Sequence, residues 1–174
     1  MERHGASTAG RRPIVVMGVS GSGKSTIGAA LAARLGRPFA DADDLHPPEN
    51  IAKMSRGEAL DDADRAPWLA RIGTWLSEHP GGVVACSALK RDYRDRLRGA
   101  VPDLVAVHLD GTPETIRARQ ATRPGHFMPA SLLDSQFATL EPLGDDESGV
   151  VLDVARGVDE LVSAAVAAIT SEDR

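Results

Sequence analysis

Ile14-Val15-Val16-Met17-Gly18-Val19-Ser20-Gly21-Ser22-Gly23-Lys24-Ser25-Thr26 is the stretch from which the rest of this chain is best read. Its first four residues form a short apolar run that predicts a buried strand. Thr26 to Leu35 predicts a helix, with Ile27, Leu31 and Leu35 at four-residue spacing. Between them, Gly18 to Ser25 satisfies G-x-x-x-x-G-K-[ST], the pattern of a phosphate-binding loop. Glycines let successive backbone N–H groups converge on phosphate oxygens with no Cβ in the way. The helix start adds unpaired N–H groups and the positive end of its dipole. Gly18, Ser20, Gly21, Ser22, Gly23, Lys24, Ser25 and Thr26 are therefore the expected contacts of a nucleoside triphosphate. Lys24 reaches the terminal phosphates and the Ser25 hydroxyl is a ligand for Mg²⁺.

Composition sets the frame. A chain of 174 residues is expected to form one domain (13–174) behind a flexible tail (1–12), burying about 70% of its unfolded surface. Aromatic residues make up 3% of the sequence, so the core must come from Val, Leu, Ile and Ala. A net charge of -5 argues against a broad nucleic-acid-binding face. Cys86 is the single cysteine, which excludes an internal disulfide and suits a reducing compartment. No apolar run reaches membrane-spanning length, and residues 1–12 lack the apolar centre of a secretory signal. A cytoplasmic protein with no membrane partner is the expectation.

Strand and helix patterns alternate, which predicts a parallel sheet covered by helices. Phe39 to Asp41, Val83 to Cys86, Leu104 to Leu109 and Val150 to Val154 are the further strands. Helices are expected over Arg65–Glu78, Lys90–Arg98, Ser131–Glu141 and Val158–Ile169, and one more opens at Thr112-Pro113-Glu114 with Thr112 as its cap. Trp68 and Trp75 lie on the apolar face of their helix and are read as core rather than as a ligand site. Cys86 ends an apolar strand and is read as a buried, inert thiol.

Asp41-Ala42-Asp43 follows the second strand, near the carboxyl edge where ligands of α/β sheets bind. A turn there brings both carboxylates into one site, one to organise Mg²⁺ through water and one to accept a proton from an attacking hydroxyl. In isolation the same pair would be read as a turn or helix cap.

These and later blocks resemble the small P-loop gluconokinases. The resemblance is carried by Asp41-Ala42-Asp43-Asp44-Leu45-His46-Pro47, Asn50-Ile51-Ala52-Lys53-Met54 and Leu60 to Leu69. It continues through Cys86-Ser87-Ala88-Leu89-Lys90-Arg91-Asp92-Tyr93-Arg94, Arg119 to Met128, and Ser135-Gln136-Phe137-Ala138-Thr139-Leu140-Glu141-Pro142. It covers about Ile14 to Val154. It implies the α/β fold of P-loop kinases, with a five-stranded parallel sheet in the order 2-3-1-4-5 and a mobile lid near 123–130. It also implies ATP-dependent phosphorylation of the 6-hydroxyl of D-gluconate, commonly by a homodimer. Ala42 departs from the family pattern, which usually has Gly there, and a need for positive φ at that position would displace the carboxylates.

The roles that follow rest mainly on the resemblance. Lys24, Asp43 and Arg123 are the expected catalytic residues, with Asp43 as proton acceptor. Ser25 and Asp41 serve Mg²⁺, although the two aspartates are exchangeable in these roles. Arg119 and Arg123 join the phosphate loop around ATP. Asp43, His46, Lys53, Arg65, Ser87, Lys90 and His126 are the expected gluconate contacts, since a sugar acid needs cations and hydrogen-bonding groups. Asp153 to Arg156 is the expected adenine wall by analogy of fold. Two rivals stay open: another small-molecule kinase of this fold, and a nucleotide-dependent binding module without an acceptor.

Overall fold

The structure, a computed structural model, describes residues 11–121 and 130–172. The expected lid at 123–130, with Arg123 and His126, lies almost wholly outside the described residues. So does the expected tail up to residue 10. Arg12 is anchored, because its Nε donates to the Asp103 carbonyl at 2.8 Å.

The chain runs β1 (Ile14–Met17), α1 (Lys24–Leu35), β2 (Phe39–Asp41), a 3-10 turn (Ala42–Leu45), α2 (Pro48–Ser55), α3 (Asp62–Glu78) and β3 (Val83–Ala85). It continues through α4 (Arg91–Ala100), β4 (Val105–Asp110), α5 (Pro113–Ala121), α6 (Ala130–Thr139), β5 (Gly149–Asp153) and α7 (Val158–Glu172). The five strands form one parallel sheet in the order β2-β3-β1-β4-β5, as expected.

Strand periodicity divides the core. All four residues of β1 are fully buried. Ile14 and Val16 face a layer containing Ile27 and Leu31 of α1, Leu133 of α6, and Leu161 and Ile169 of α7. Val15 and Met17 point the other way, onto Trp68, Leu69, Ile72 and Leu76 of α3 and Tyr93 and Leu97 of α4. Side chains that alternate across a strand covered on both faces must all be apolar, which is why β1 reads as an unbroken apolar run.

Local signals set the helix ends. Gly36 closes α1 in the left-handed region at φ 65°, its N–H bonded to Ala32 and Ala33 carbonyls. Thr112 Oγ1 accepts the Thr115 N–H at 3.2 Å and caps α5, as its sequence predicts. Helix α3 begins at Asp62, three residues before the start expected at Arg65. Asp61 and Asp64 form a reciprocal capping box, each side chain accepting the other's backbone N–H. Gly149 is required by close approach, since a Cβ there would lie 2.4 Å from the Ala106 carbonyl oxygen across the β4–β5 pair.

Among the described residues, one ion pair lies wholly inside. Arg94 of α4 and Glu147 have fully buried side chains and meet at 2.7 Å through Nε and at 3.0 Å through Nη2. Arg94 also donates to the carbonyls of Ala88 (2.9 Å), Leu89 (3.4 Å) and Pro142 (3.3 Å). Glu147 further accepts from Arg98 at 2.6 Å and the Gly144 N–H at 2.8 Å. Burial alone would raise the Glu147 carboxyl, but hydrogen bonds from Arg94, Gly144 and Arg98 outweigh it and hold the group down at about 2. Its stabilisation is therefore complete above the ordinary value of 4.5 and is lost as pH falls toward about 2. Glu147→Gln is expected to strand a buried guanidinium and cost about 3–5 kcal/mol. Urea unfolding should show that loss at pH 7, with a smaller difference between wild type and variant near pH 3.

Candidate active site

The phosphate loop leaves β1 at the carboxyl edge of the sheet and enters α1. Gly18, Gly21 and Gly23 have φ of 153°, 85° and 93°. At Gly21 a Cβ would also sit 2.8 Å from the Gln120 side chain. Two glutamines grip the peptide before it. The Ser20 N–H donates to Gln136 Oε1 at 2.7 Å, and Gln120 Nε2 donates to the Ser20 carbonyl at 3.1 Å. Helices α5 and α6 are thereby tied directly to the loop. Ser22 Oγ is buried without a hydrogen-bond partner among the described residues. Lys24 Nζ donates to the Val19 carbonyl at 3.2 Å. Burial lowers its pKa, opposed chiefly by the Asp43 charge.

Beside the loop, Ser25 Oγ donates to Asp41 Oδ2 at 2.5 Å. The other Asp41 oxygen accepts the Asp43 N–H at 3.0 Å, which starts the 3-10 turn. Asp41 therefore caps a turn and faces the phosphate loop at once. Asp43 carries a raised pKa, first from burial and then from the Asp41 carboxylate, with Lys24 and His46 opposing. Ala42 needs no glycine conformation: among the described residues the only non-glycine with positive φ is Ala88, at 44°. The Ala42 methyl is buried against the α3 side of the core.

The hydroxyl–carboxylate pair of Ser25 and Asp41 offers hard oxygen donors, which suit Mg²⁺. Among the described residues no group of three or more His, Cys, Asp or Glu could hold a metal by itself. That fits an ion which keeps water ligands and shares substrate phosphates.

Trp68 does more than fill the core. Its Nε1 donates to the Ala42 carbonyl at 2.7 Å, fixing the peptide between the two aspartates. Its ring stacks on His46 at 4.4 Å and 7°. His46 is buried, and its pKa is lowered chiefly by that burial. Spacing placed Trp68 on an apolar face correctly, but periodicity carries no information about a ring stacked on a histidine from another segment.

The cationic candidates for gluconate among the described residues, Lys53, Arg65 and Lys90, have acidic or phenolic partners. Lys53 meets Asp64 of the α3 capping box at 2.6 Å. Arg65 Nη1 donates to the Tyr93 hydroxyl at 3.3 Å, and Tyr93 donates to Asp62 at 2.6 Å. Lys90 lies 3.5 Å from the same Asp62 carboxylate, and both cations sit over the Tyr93 ring at about 5.5 Å. Arg65 and Lys90, far apart in sequence, thus meet at a hub formed by Asp62 and Tyr93, which sequence reading did not single out. Ser87 ends at the same sheet edge, its carbonyl accepting the Gly18 N–H at 3.4 Å. The next residue, Ala88, holds its strained φ while its carbonyl is bonded by Arg94. Arg119 donates to the carbonyl of Val154, which links α5 to the segment expected to wall the adenine.

A phosphate loop at the carboxyl edge of a 2-3-1-4-5 parallel sheet, with an aspartate pair beside it, defines a P-loop phosphotransferase. Comparison with known proteins narrows this. The shikimate kinase family model matches residues 20–162. The chain is 55% identical over 140 residues to a gluconokinase of Gluconobacter oxydans, covering 78% of this chain and 79% of that one. It is 48% identical over 145 residues to the thermosensitive gluconokinase of Escherichia coli, covering 80% and 78%. The crystal structure of a gluconokinase from Sinorhizobium meliloti superposes with a TM-score of 0.88 at 49% identity, over 94% of both chains. A shikimate kinase from Aquifex aeolicus shares the fold, with a TM-score of 0.60 at 17% identity. The chain belongs to the gluconokinases, within the shikimate kinase family of P-loop kinases.

Two outcomes are expected here. Gly21→Ala places a side chain at φ 85° against Gln120 and should strain the loop by about 1–3 kcal/mol, raising KM for MgATP about tenfold or more. Steady-state kinetics with MgATP varied checks it. Cys86 is buried, and desolvation pushes its thiol up to about 12. Iodoacetamide at pH 8 should leave the native protein unlabelled by mass spectrometry and label it fully in urea.

Proposed function

We propose that this chain transfers the terminal phosphoryl group of ATP to the 6-hydroxyl of D-gluconate, giving 6-phospho-D-gluconate. The observation that carries this reading is the convergence of Lys24, Ser25, Asp41, Asp43 and His46 at one sheet edge, in a chain whose close relatives are gluconokinases.

Phosphoryl transfer needs positioning and charge neutralisation more than covalent chemistry. The backbone N–H groups from Gly21 to Thr26 cradle the phosphates, and Lys24 balances charge on the transferring group. Ser25 and Asp41 would hold Mg²⁺, directly and through water. When bound, that ion neutralises phosphate charge. Asp43 orients the attacking hydroxyl and takes its proton. Its raised pKa makes it a better acceptor than an ordinary aspartate. His46, Lys53, Arg65, Ser87 and Lys90 line the acceptor side. The acidic partners of the three cations hold their side chains in place, leaving further N–H donors for the gluconate carboxylate and hydroxyls. Arg119 and Arg123 stabilise ATP and the transition-state charge, Arg123 and His126 from the lid that closes over the site. The protein works in the cytoplasm, as its single buried thiol suits, and as a homodimer. Among the described residues no helix is long and apolar enough to cross a membrane.

ADP release from MgATP with D-gluconate, shikimate, other sugar acids or no acceptor tests the reading. Strong turnover with gluconate and a small blank is the expected result. Turnover that ignores every acceptor would leave a nucleotide-hydrolysing module instead. Asp43→Asn is expected to lower kcat about 10²- to 10⁴-fold while KM for MgATP stays within about twofold. Near-normal turnover in that variant would remove Asp43 from the proton-accepting role.

A further inference from the structure

Asn50 is buried in the first turn of α2, where a polar amide must find partners. Its Nδ2 donates to the Asp64 backbone carbonyl at 2.9 Å. The same nitrogen lies 3.3 Å from Nδ1 of His46. A carbonyl oxygen only accepts, so the atom facing Asp64 has to be the amide nitrogen. Turning the amide over would set oxygen against oxygen and lose that bond. The neighbour of His46 Nδ1 is therefore an N–H group, and Nδ1 must present its lone pair. A neutral imidazole with its lone pair on Nδ1 carries its proton on Nε2. Protonating Nδ1 would turn the contact into N–H against N–H. Stacking on Trp68 fixes the plane of the ring, and the Asn50 contact marks the edge of that plane on which Nδ1 lies.

We propose that Asn50 is a positioning residue that locks His46 as the Nε2–H tautomer, so that the ring offers the sugar acid a fixed hydrogen-bond donor and no acceptor. This rests on the reading that His46 faces gluconate. It gives the two groups opposite tasks: Asp43 accepts a proton from the reacting hydroxyl, while His46 donates to an oxygen lone pair of the same molecule. A pocket built this way favours acceptors that present a carboxylate or hydroxyl oxygen at that point. An analogue with only donors there would leave the ring proton unpaired.

Long-range ¹H–¹⁵N correlation spectra of the full-length ¹⁵N-labelled protein test the tautomer directly. The chain has five histidines, and the resonances lost in His46→Gln assign His46. The wild type is expected to show the Nε2–H pattern. In Asn50→Asp a carboxylate faces Nδ1 and can only accept, so the ring should change to the Nδ1–H tautomer or the imidazolium. KM for gluconate should then rise about tenfold, the scale of one hydrogen bond, with KM for MgATP unchanged. His46→Gln, which keeps an N–H donor, should retain more gluconate affinity than His46→Ala. A wild-type Nδ1–H pattern overturns the lock, and that spectrum decides even if the Asn50 variant fails to fold. An altered tautomer in Asn50→Asp with unchanged KM for gluconate overturns the functional consequence. Wild-type KM for gluconate in both His46 variants overturns instead the placement of gluconate against His46, whatever the spectrum shows.

Discussion

Burial of β1 on both faces, between parallel neighbours on both sides, is the constraint on which the rest of this molecule depends. A strand so placed can neither reach solvent nor turn back in a hairpin, so every connection must cross over through helices. All five strands then end on the same edge. The phosphate loop after β1, the aspartates after β2 and Ser87 after β3 come together there although they are spread over some seventy residues. Helix α1 starts from the same point and aims its unpaired N–H groups at the loop.

A second level of order comes from charge. The α3 side of the site is braced by pairs that join distant segments: Lys53 with Asp64, and Arg65 and Lys90 with Asp62 and Tyr93. Beneath them Arg94 and Glu147 tie the strained Ala88 turn to the chain leaving α6. Exposed pairs of this kind contribute little stability. Their value here is directional, since each holds a long flexible side chain in one place. The buried pair differs, because separating it would leave a charge without solvent or partner. On the opposite side of the loop, Gln120 and Gln136 connect α5 and α6 to Ser20, so the two helices that flank residues 122–129 are mechanically joined to the phosphate site.

The histidine and the tryptophan illustrate how a core residue becomes part of a site. Trp68 is on the apolar face of α3 for the usual reason, burial of a large ring. Its indole N–H then needs a partner and finds the Ala42 carbonyl, and its face supplies a platform for His46. Packing and orientation are the same interaction seen from two sides. Asn50 adds the hydrogen-bond polarity that stacking alone cannot provide.

Much of this was legible in the amino-acid order, because its determinants are local. Short apolar runs, a glycine-rich turn and Thr112 before Pro113 act over a few residues, and they predicted the strands, the phosphate loop and the start of α5. The resemblance to the small P-loop gluconokinases implied the five-stranded order, and position after the second strand brought the aspartate pair within reach. The capping box that starts α3 early was also local, yet Asp61-Asp62-Ala63-Asp64 reads as a polar loop until its reciprocal bonds are seen. What the tertiary structure alone decided was pairing: which carboxylate meets which cation, that Trp68 lies on His46, that Gln136 reaches Ser20, and which way the Asn50 amide faces. Those contacts join residues from four to more than a hundred positions apart, and hydrogen-bond direction depends on the atoms that packing brings to between 2.7 and 3.3 Å. Sequence determined which groups are present at the sheet edge; packing determined the direction in which each one points.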